Sequence, residues 1–378
     1  MPTPSIQLSN EDNLRLNVLM AQKPKVIRIN ESNMTLYALT ARGEVSIKLH
    51  PQVKDDTYLR WVRELLSMKV TGSPSGYPVF IKRWTRMGHT QNTLEHMLLL
   101  GEPEAIVAAA YSEKLSHEIA GRIWWANPNT EIARQLLSHQ VVVEGELGKE
   151  LSSFLMEFLP YEESQLNMVR TVHLCLQGDL LSRKQRADLW KKAKRKNSYY
   201  VGFIHAPSID TPEKKTQTRH HAALADTLQP LIDQGNAYAA MLLNLQSAQG
   251  QEWLSTFKYA LTKPVDQDVV ISLFIAVNTY FKPPHSEFRG VREINTALQR
   301  AKDYCQCVGD VPTEVQTVLV LLNETEKTLF EASLVLSQLG EETLNPIFSG
   351  NESLGSFMRK RLLPVSNPTL ERIKVLMS

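Results

Sequence analysis

Residues 11–22 place Leu14, Val18 and Leu19 at helical spacing behind two acidic residues, the pattern of a short amphipathic helix whose first turn suits the helix dipole. After Pro24 the period changes to two. Val26, Ile27 and Ile29, then Met34, Leu36 and Ala38, then Val45, Ile47 and Leu49 alternate with polar residues, and turn-forming residues at 30–33 and 41–43 separate the runs. Three short strands in a meander are expected. Asp55 to Met68 returns to helical spacing through Tyr58, Leu59, Val62, Leu65 and Leu66, and the Gly- and Pro-rich segment 72–78 ends it. Val79 to Trp84 is then a candidate fourth strand. The first 90 residues read as a small α+β domain with helices on one face of the sheet.

From residue 92 onward the pattern is helical, broken every few turns by Gly, Pro and Asn. Gly101 and Pro103 form one joint, Gly suiting a helix end and Pro a helix start. Others fall at Asn127-Pro128, Pro160, Thr211-Pro212, Gly235-Asn236, Pro264 and Pro312-Thr313, where Gln316 completes a capping-box spacing. Ala105 to Ala110 and Val269 to Val277 are apolar on all sides and must lie between helices. Leu115, Ser116, Ile123 and Trp124 recur as Leu181, Ser182, Leu189 and Trp190, which raises a solenoid-like array beside an irregular bundle. The expected architecture is therefore mainly α: a small N-terminal α+β domain at 1–90, then an all-helical array at 91–378, divisible near 205–212.

Of the 378 residues, 42 are Lys or Arg and 40 Asp or Glu, so no global field announces a nucleic acid or a membrane surface. The charge that matters is local. Between 183 and 219 stand eleven cations (Arg183, Lys184, Arg186, Lys191, Lys192, Lys194, Arg195, Lys196, Lys214, Lys215 and Arg219) against Asp188, Asp210 and Glu213. On a helix, Leu189, Trp190 and Ala193 share one face, with Lys184, Lys191, Lys192 and Arg195 opposite. Tyr199, Tyr200 and Phe203 follow, and aromatics beside cations suit stacking on single-stranded nucleic acid as well as ordinary core packing. A solvated face, an acidic protein partner and RNA all remain open. Lys82, Arg83 and Arg86, with Trp84 and His89, form a second basic strip that could hold an anion or simply face solvent.

Familiar chemical motifs fail on inspection. Pro74 occupies the position where a nucleophile elbow needs serine, and the same loop lacks the Gly-Lys ending of a phosphate loop. His117-Glu118 begins like a zinc-protease helix but meets Gly121 where the second histidine belongs. His220 and His221 diverge by about 100° on a helix, which is poor geometry for one metal. Cys305 and Cys307, two of only three cysteines, could handle sulfur or a persulfide, yet residues two apart on a helix diverge by about 200°. Cys175 reads as core. So few cysteines, with no basic and apolar leader, lead us to expect a cytoplasmic protein without a membrane span. Sequons at Asn33, Asn323 and Asn351 then carry no weight. No spacing nominates a catalytic residue, a cofactor or a metal ligand, and a non-enzymatic binding protein is expected.

Longer segments carry a resemblance. Asp12 to Leu19 (DNLRLNVL), Val26 to Asn30 (VIRIN), Met34 to Leu39 (MTLYAL), Gly72 to Gly88 (GSPSGYPVFIKRWTRMG), Leu98 to Val107 (LLLGEPEAIV) and Asn197 to Phe203 (NSYYVGF) resemble the DsrS family. The likeness covers roughly residues 10–205 and contains no chemical signature. It implies a cytoplasmic accessory or regulatory protein of the reverse dissimilatory sulfite reductase system in bacterial sulfur oxidation. The family brings no defined activity or cofactor, so no site residue is carried over. A protein partner is the first expectation and RNA the second.

Overall fold

The computed structural model describes residues 8–74, 91–206, 211–281, 290–348 and 355–378. It is mainly helical, and the chain divides into two compact units, residues 1–158 and 159–378. The candidate strand at 79–84 and the basic residues Lys82, Arg83 and Arg86 lie outside the described residues. Among the described residues no helix is long and apolar enough to cross a membrane.

The first unit opens with α1 (Asn10–Ala21), β1 (Val26–Asn30), β2 (Thr35–Thr40), β3 (Gly43–Lys48) and α2 (Asp55–Thr71). The expected meander forms: β1 and β2 pair antiparallel with Ile27 opposite Ala38, and β2 and β3 with Leu36 opposite Ile47. Because side chains alternate across a strand, Ile27, Ile29, Leu36, Ala38, Val45 and Ile47 gather on one face. There they meet Leu16 and Leu19 of α1 and Tyr58, Leu59, Val62 and Leu66 of α2.

The buried face of α1 differs from the expected one. Leu14 and Val18 are 66% and 51% exposed, while Asp12, Leu16 and Leu19 are buried. A carboxylate takes the place of an apolar residue because hydrogen-bond donors meet it there. The Tyr58 hydroxyl and the His50 backbone N–H both donate to Asp12 Oδ2, and His50 Nδ1 lies 3.1 Å from Oδ1. Burial by itself would raise the Asp12 pKa, but these bonds outweigh it and hold the carboxyl below its ordinary value. A carboxyl so shifted stabilises the fold above its unfolded pKa and loses that contribution as pH falls. Tyr58→Phe is expected to cost about 1.5–3 kcal/mol, the usual worth of a hydrogen bond to a charged group. Urea denaturation measures that loss, and carboxyl-carbon NMR should show Asp12 titrating higher in the variant.

Among the described residues six further helices follow in this unit: α3 (Gln91–Met97), α4 (Pro103–Ala110), α5 (His117–Ala126), α6 (Thr130–Leu136), α7 (Gln140–Val143) and α8 (Glu146–Phe158). They follow residue 90 yet group with the sheet, for two physical reasons. The Ile27 N–H of the edge strand β1 donates to Leu98 O at 2.9 Å, satisfying a group that β2 cannot reach. On the sheet face opposite the core, Arg28 stacks over Trp125 of α5 at 4.4 Å and over Tyr37 at 5.0 Å. Glu44 receives the Trp125 indole N–H. Glu118, in the motif that fails as a zinc site, pairs with Lys25 and Arg122 instead.

The second unit contains α9 (Gln165–Cys175), α10 (Arg183–Ala193), α11 (Asn197–His205), α12 (His221–Asp233), α13 (Ala237–Gln246) and α14 (Ala248–Thr262). Then come α15 (Gln267–Phe281), α16 (Ile294–Cys305), α17 (Thr313–Leu321), α18 (Glu324–Ser337), α19 (Asn345–Phe348) and α20 (Gly355–Leu376). Helix α11 is central, buried from Ser198 to Ile204 among α9, α10, α14 and α15. Gly202 permits its approach to α9, since a Cβ there would stand 2.6 Å from Val172 Cβ.

The short sequence echo has a local cause. Ser116 and Ser182 each cap a helix, accepting from the backbone N–H three residues on, and Ile123-Trp124 and Leu189-Trp190 are the buried pairs that follow. The capping box expected at Thr313 and Gln316 does not form. Pro312 holds the cap position, and Gln316 donates to Val311 O. Boxes form at Ser182 with Gln185 and at Asn323 with Glu326.

At the joint between α13 and α14, Ser247 ends one helix and begins the next, and its hydroxyl bonds both Asn244 O and the Gly250 N–H. Gln246 and Gln251 beside it are buried, and both side-chain amides donate to Leu376 O in α20.

Candidate partner-binding face and basic cavity

Helix α10 turns Leu189, Trp190 and Ala193 into the core, as its periodicity predicts, and Trp190 packs edge-on against Tyr200 and Phe203 of α11. Lys184, Lys191, Lys192, Lys194, Arg195 and Lys196 are all exposed. Two of them are weakly paired, Lys191 with Asp188 and Lys194 with Glu213, each at 3.8 Å. The side chains of Lys184, Lys192, Arg195 and Lys196 pair with no acid among the described residues. The result is a charged outer face on a well-anchored helix.

The neighbouring aromatics do not join that face. Tyr199, Tyr200 and Phe203 are 3%, 7% and 1% exposed. Burial, helped by Glu213 and Tyr259, pushes the Tyr200 hydroxyl up to about 12. These rings serve the core and offer no stacking platform for bases.

The first turns of α10 also form one wall of a cavity of about 450 Å³, lined by Arg183, Arg186 and Ala187 and, across from them, Thr211, Pro212 and Lys214. Arg186 is held by donation to Gly178 O and Leu181 O. Lys214 lies 3.6 Å from Glu252, whose buried carboxylate also receives the Lys215 N–H. Arg183 has no partner among the described residues. Lys214 was legible in the sequence only as one more cation, since the loop that brings it to α10 is a tertiary feature.

Other candidates separate. His220 accepts from Arg219 Nε, and among the described residues no group of three His, Cys, Asp or Glu comes together to hold a metal. Cys175 is buried. Cys305 ends α16 half-buried, and burial, with Glu331 and Cys307 adding to it, pushes its thiol up to about 12. The thiolate that sulfur chemistry needs is therefore disfavoured there at neutral pH. Cys307 is exposed just beyond, at a φ of 54°.

One half-buried pair was not singled out by the sequence. His173 of α9 and His205 of α11 stand 5.6 Å apart, ring to ring. His205 Nε2 meets the Ser272 carbonyl and hydroxyl at 2.9 Å, whereas His173 Nδ1 is buried with no hydrogen-bond partner among the described residues. Its signal was a lone histidine in the otherwise apolar turn Val172 to Cys175. No protein-family model, no curated protein and no solved structure matches the chain.

Proposed function

We propose that this protein is a non-enzymatic accessory protein that captures an acidic protein partner on the outer face of α10. The observation that carries this reading is the segregation at 183–203: seven cations are exposed, while Trp190, Tyr199, Tyr200 and Phe203 of the same segment are buried. A face dominated by charge suits carboxylates at an interface rim, where complementarity steers encounter and fixes register. It suits single-stranded nucleic acid less, because the rings of Trp190, Tyr199, Tyr200 and Phe203 are withdrawn from stacking and leave Tyr259 at its edge. The DsrS resemblance supports bacterial sulfur oxidation in the cytoplasm as the setting.

The test is a variant with Lys191, Lys192, Lys194, Arg195 and Lys196 all changed to Gln. Captured from lysate, the tagged parent should retain a partner that survives RNase and elutes as salt rises, since exposed charges are screened beyond about 8–10 Å at physiological ionic strength. The variant should lose that partner while melting within a few degrees of the parent, because exposed substitutions change stability little. Equal capture by both proteins removes α10 from the account, and recovery abolished by RNase transfers the face to RNA.

A further inference from the structure

We propose that the cavity between α10 and the 211–214 segment binds a small phosphate ester, its phosphoryl group held by Arg183, Arg186 and Lys214. This site is separate from the docking face and does not depend on it. Its volume of about 450 Å³ falls within the roughly 300–1,000 Å³ of small-molecule sites and exceeds what a bare inorganic anion needs.

The charge balance selects the anion. Three cations line the cavity, and Glu252 offsets one of them through Lys214. Arg186 spends donors on neutral carbonyls, which fixes the guanidinium without neutralising it. Arg183 is offset by nothing described. Two positive charges with no acidic partner among the described residues match a phosphomonoester, which carries nearly two negative charges at neutral pH. Arginine forks favour phosphate over a point-like anion because their donors meet its oxygens in pairs.

The walls select the remainder of the ligand. Ala187 and Pro212 present apolar surface beside the cations, a place for the organic body of an ester. Thr211 is 2% exposed and its hydroxyl is committed to Glu213 O, so it fixes the loop instead of contacting a ligand.

The experiment is phosphorus NMR and calorimetry on the full chain with AMP, glucose 6-phosphate and phenyl phosphate, with adenosine and inorganic phosphate alongside. At least one ester should bind with a Kd below about 1 mM, a modest affinity for a cavity of this size. It should bind at least about tenfold tighter than its dephosphorylated counterpart or inorganic phosphate, a factor that corresponds to about 1.4 kcal/mol. Arg183→Gln should weaken that ester about tenfold, the scale of one charge-assisted contact, while Lys191→Gln on the same helix leaves it unchanged. Arg183 has no described partner to strand, so this variant keeps the fold. No saturable binding of any ester up to 10 mM overturns the proposal. So does an equal loss in Lys191→Gln, which would mark a diffuse field, or displacement of the ester by an oligonucleotide lacking terminal phosphates.

Discussion

Gly250→Ala is expected to lower the melting temperature of the second unit by roughly 6–12 °C, the scale of a 3 kcal/mol loss in a unit of this size. A Cβ at this position would lie 2.1 Å from Asn244 O and 2.7 Å from Leu245 Cα. Both are backbone atoms of the preceding helix, so no rotamer change relieves the clash. Overpacking of this kind costs about 1–3 kcal/mol or more, and a rigid obstacle puts the effect at the upper end. The shift also pulls the Gly250 N–H from Ser247, removing the cap of α14. The sign opposes intrinsic preference, since Gly→Ala inside a helix ordinarily gains up to about 1 kcal/mol. Gly121 supplies the contrast: a Cβ there meets nothing within 4 Å. Gly121→Ala should therefore stabilise the first unit while Gly250→Ala destabilises the second, and calorimetric scans of both variants check the pair.

Acid should loosen the second unit well before its carboxylates protonate. Burial, and then the proximity of His205, lower the His173 pKa to about 4, and burial lowers His205 as well. A histidine whose folded pKa lies below its unfolded value near 6.5 binds fewer protons folded than unfolded across that interval. Its effect on stability is absent above pH 6.5, grows as pH falls toward 4, and levels off below. The full shift corresponds to roughly 3 kcal/mol for His173 alone, with the two rings titrating as a coupled pair. Urea denaturation at pH 7 and pH 4.5 should show this loss in the parent and a flatter dependence in His173→Gln. A parent and variant with parallel pH profiles would mean that His173 gains its proton without unfolding.

The strands were legible because a period of two with turn residues between runs is hard to satisfy otherwise, and the charged face of α10 because its apolar partners repeat at helical spacing. Asp12 was not. Its burial depends on Tyr58 and His50, whose positions follow only from closure of the sheet. The association of α3 to α8 with the sheet likewise rests on Leu98 O meeting a strand edge about seventy residues earlier in the chain. The cavity needs Lys214 beside Arg183, and the 31-residue separation between them hides it from any local pattern. Periodicity reports which side of an element is apolar, whereas polar sites form where distant loops converge.

The two glutamines that share Leu376 O tie completion of the α13–α14 joint to a late stage of synthesis. Gln246 and Gln251 precede their acceptor by 130 and 125 residues. At about 5–20 residues per second, a ribosome needs roughly 6–25 s to span that interval. Throughout it the Gln246 amide lacks this acceptor while Gln251 holds Leu245 O alone, so the α13–α14 joint has fewer hydrogen bonds than in the finished fold. The joint therefore reaches its full set of hydrogen bonds only once α20 has been made.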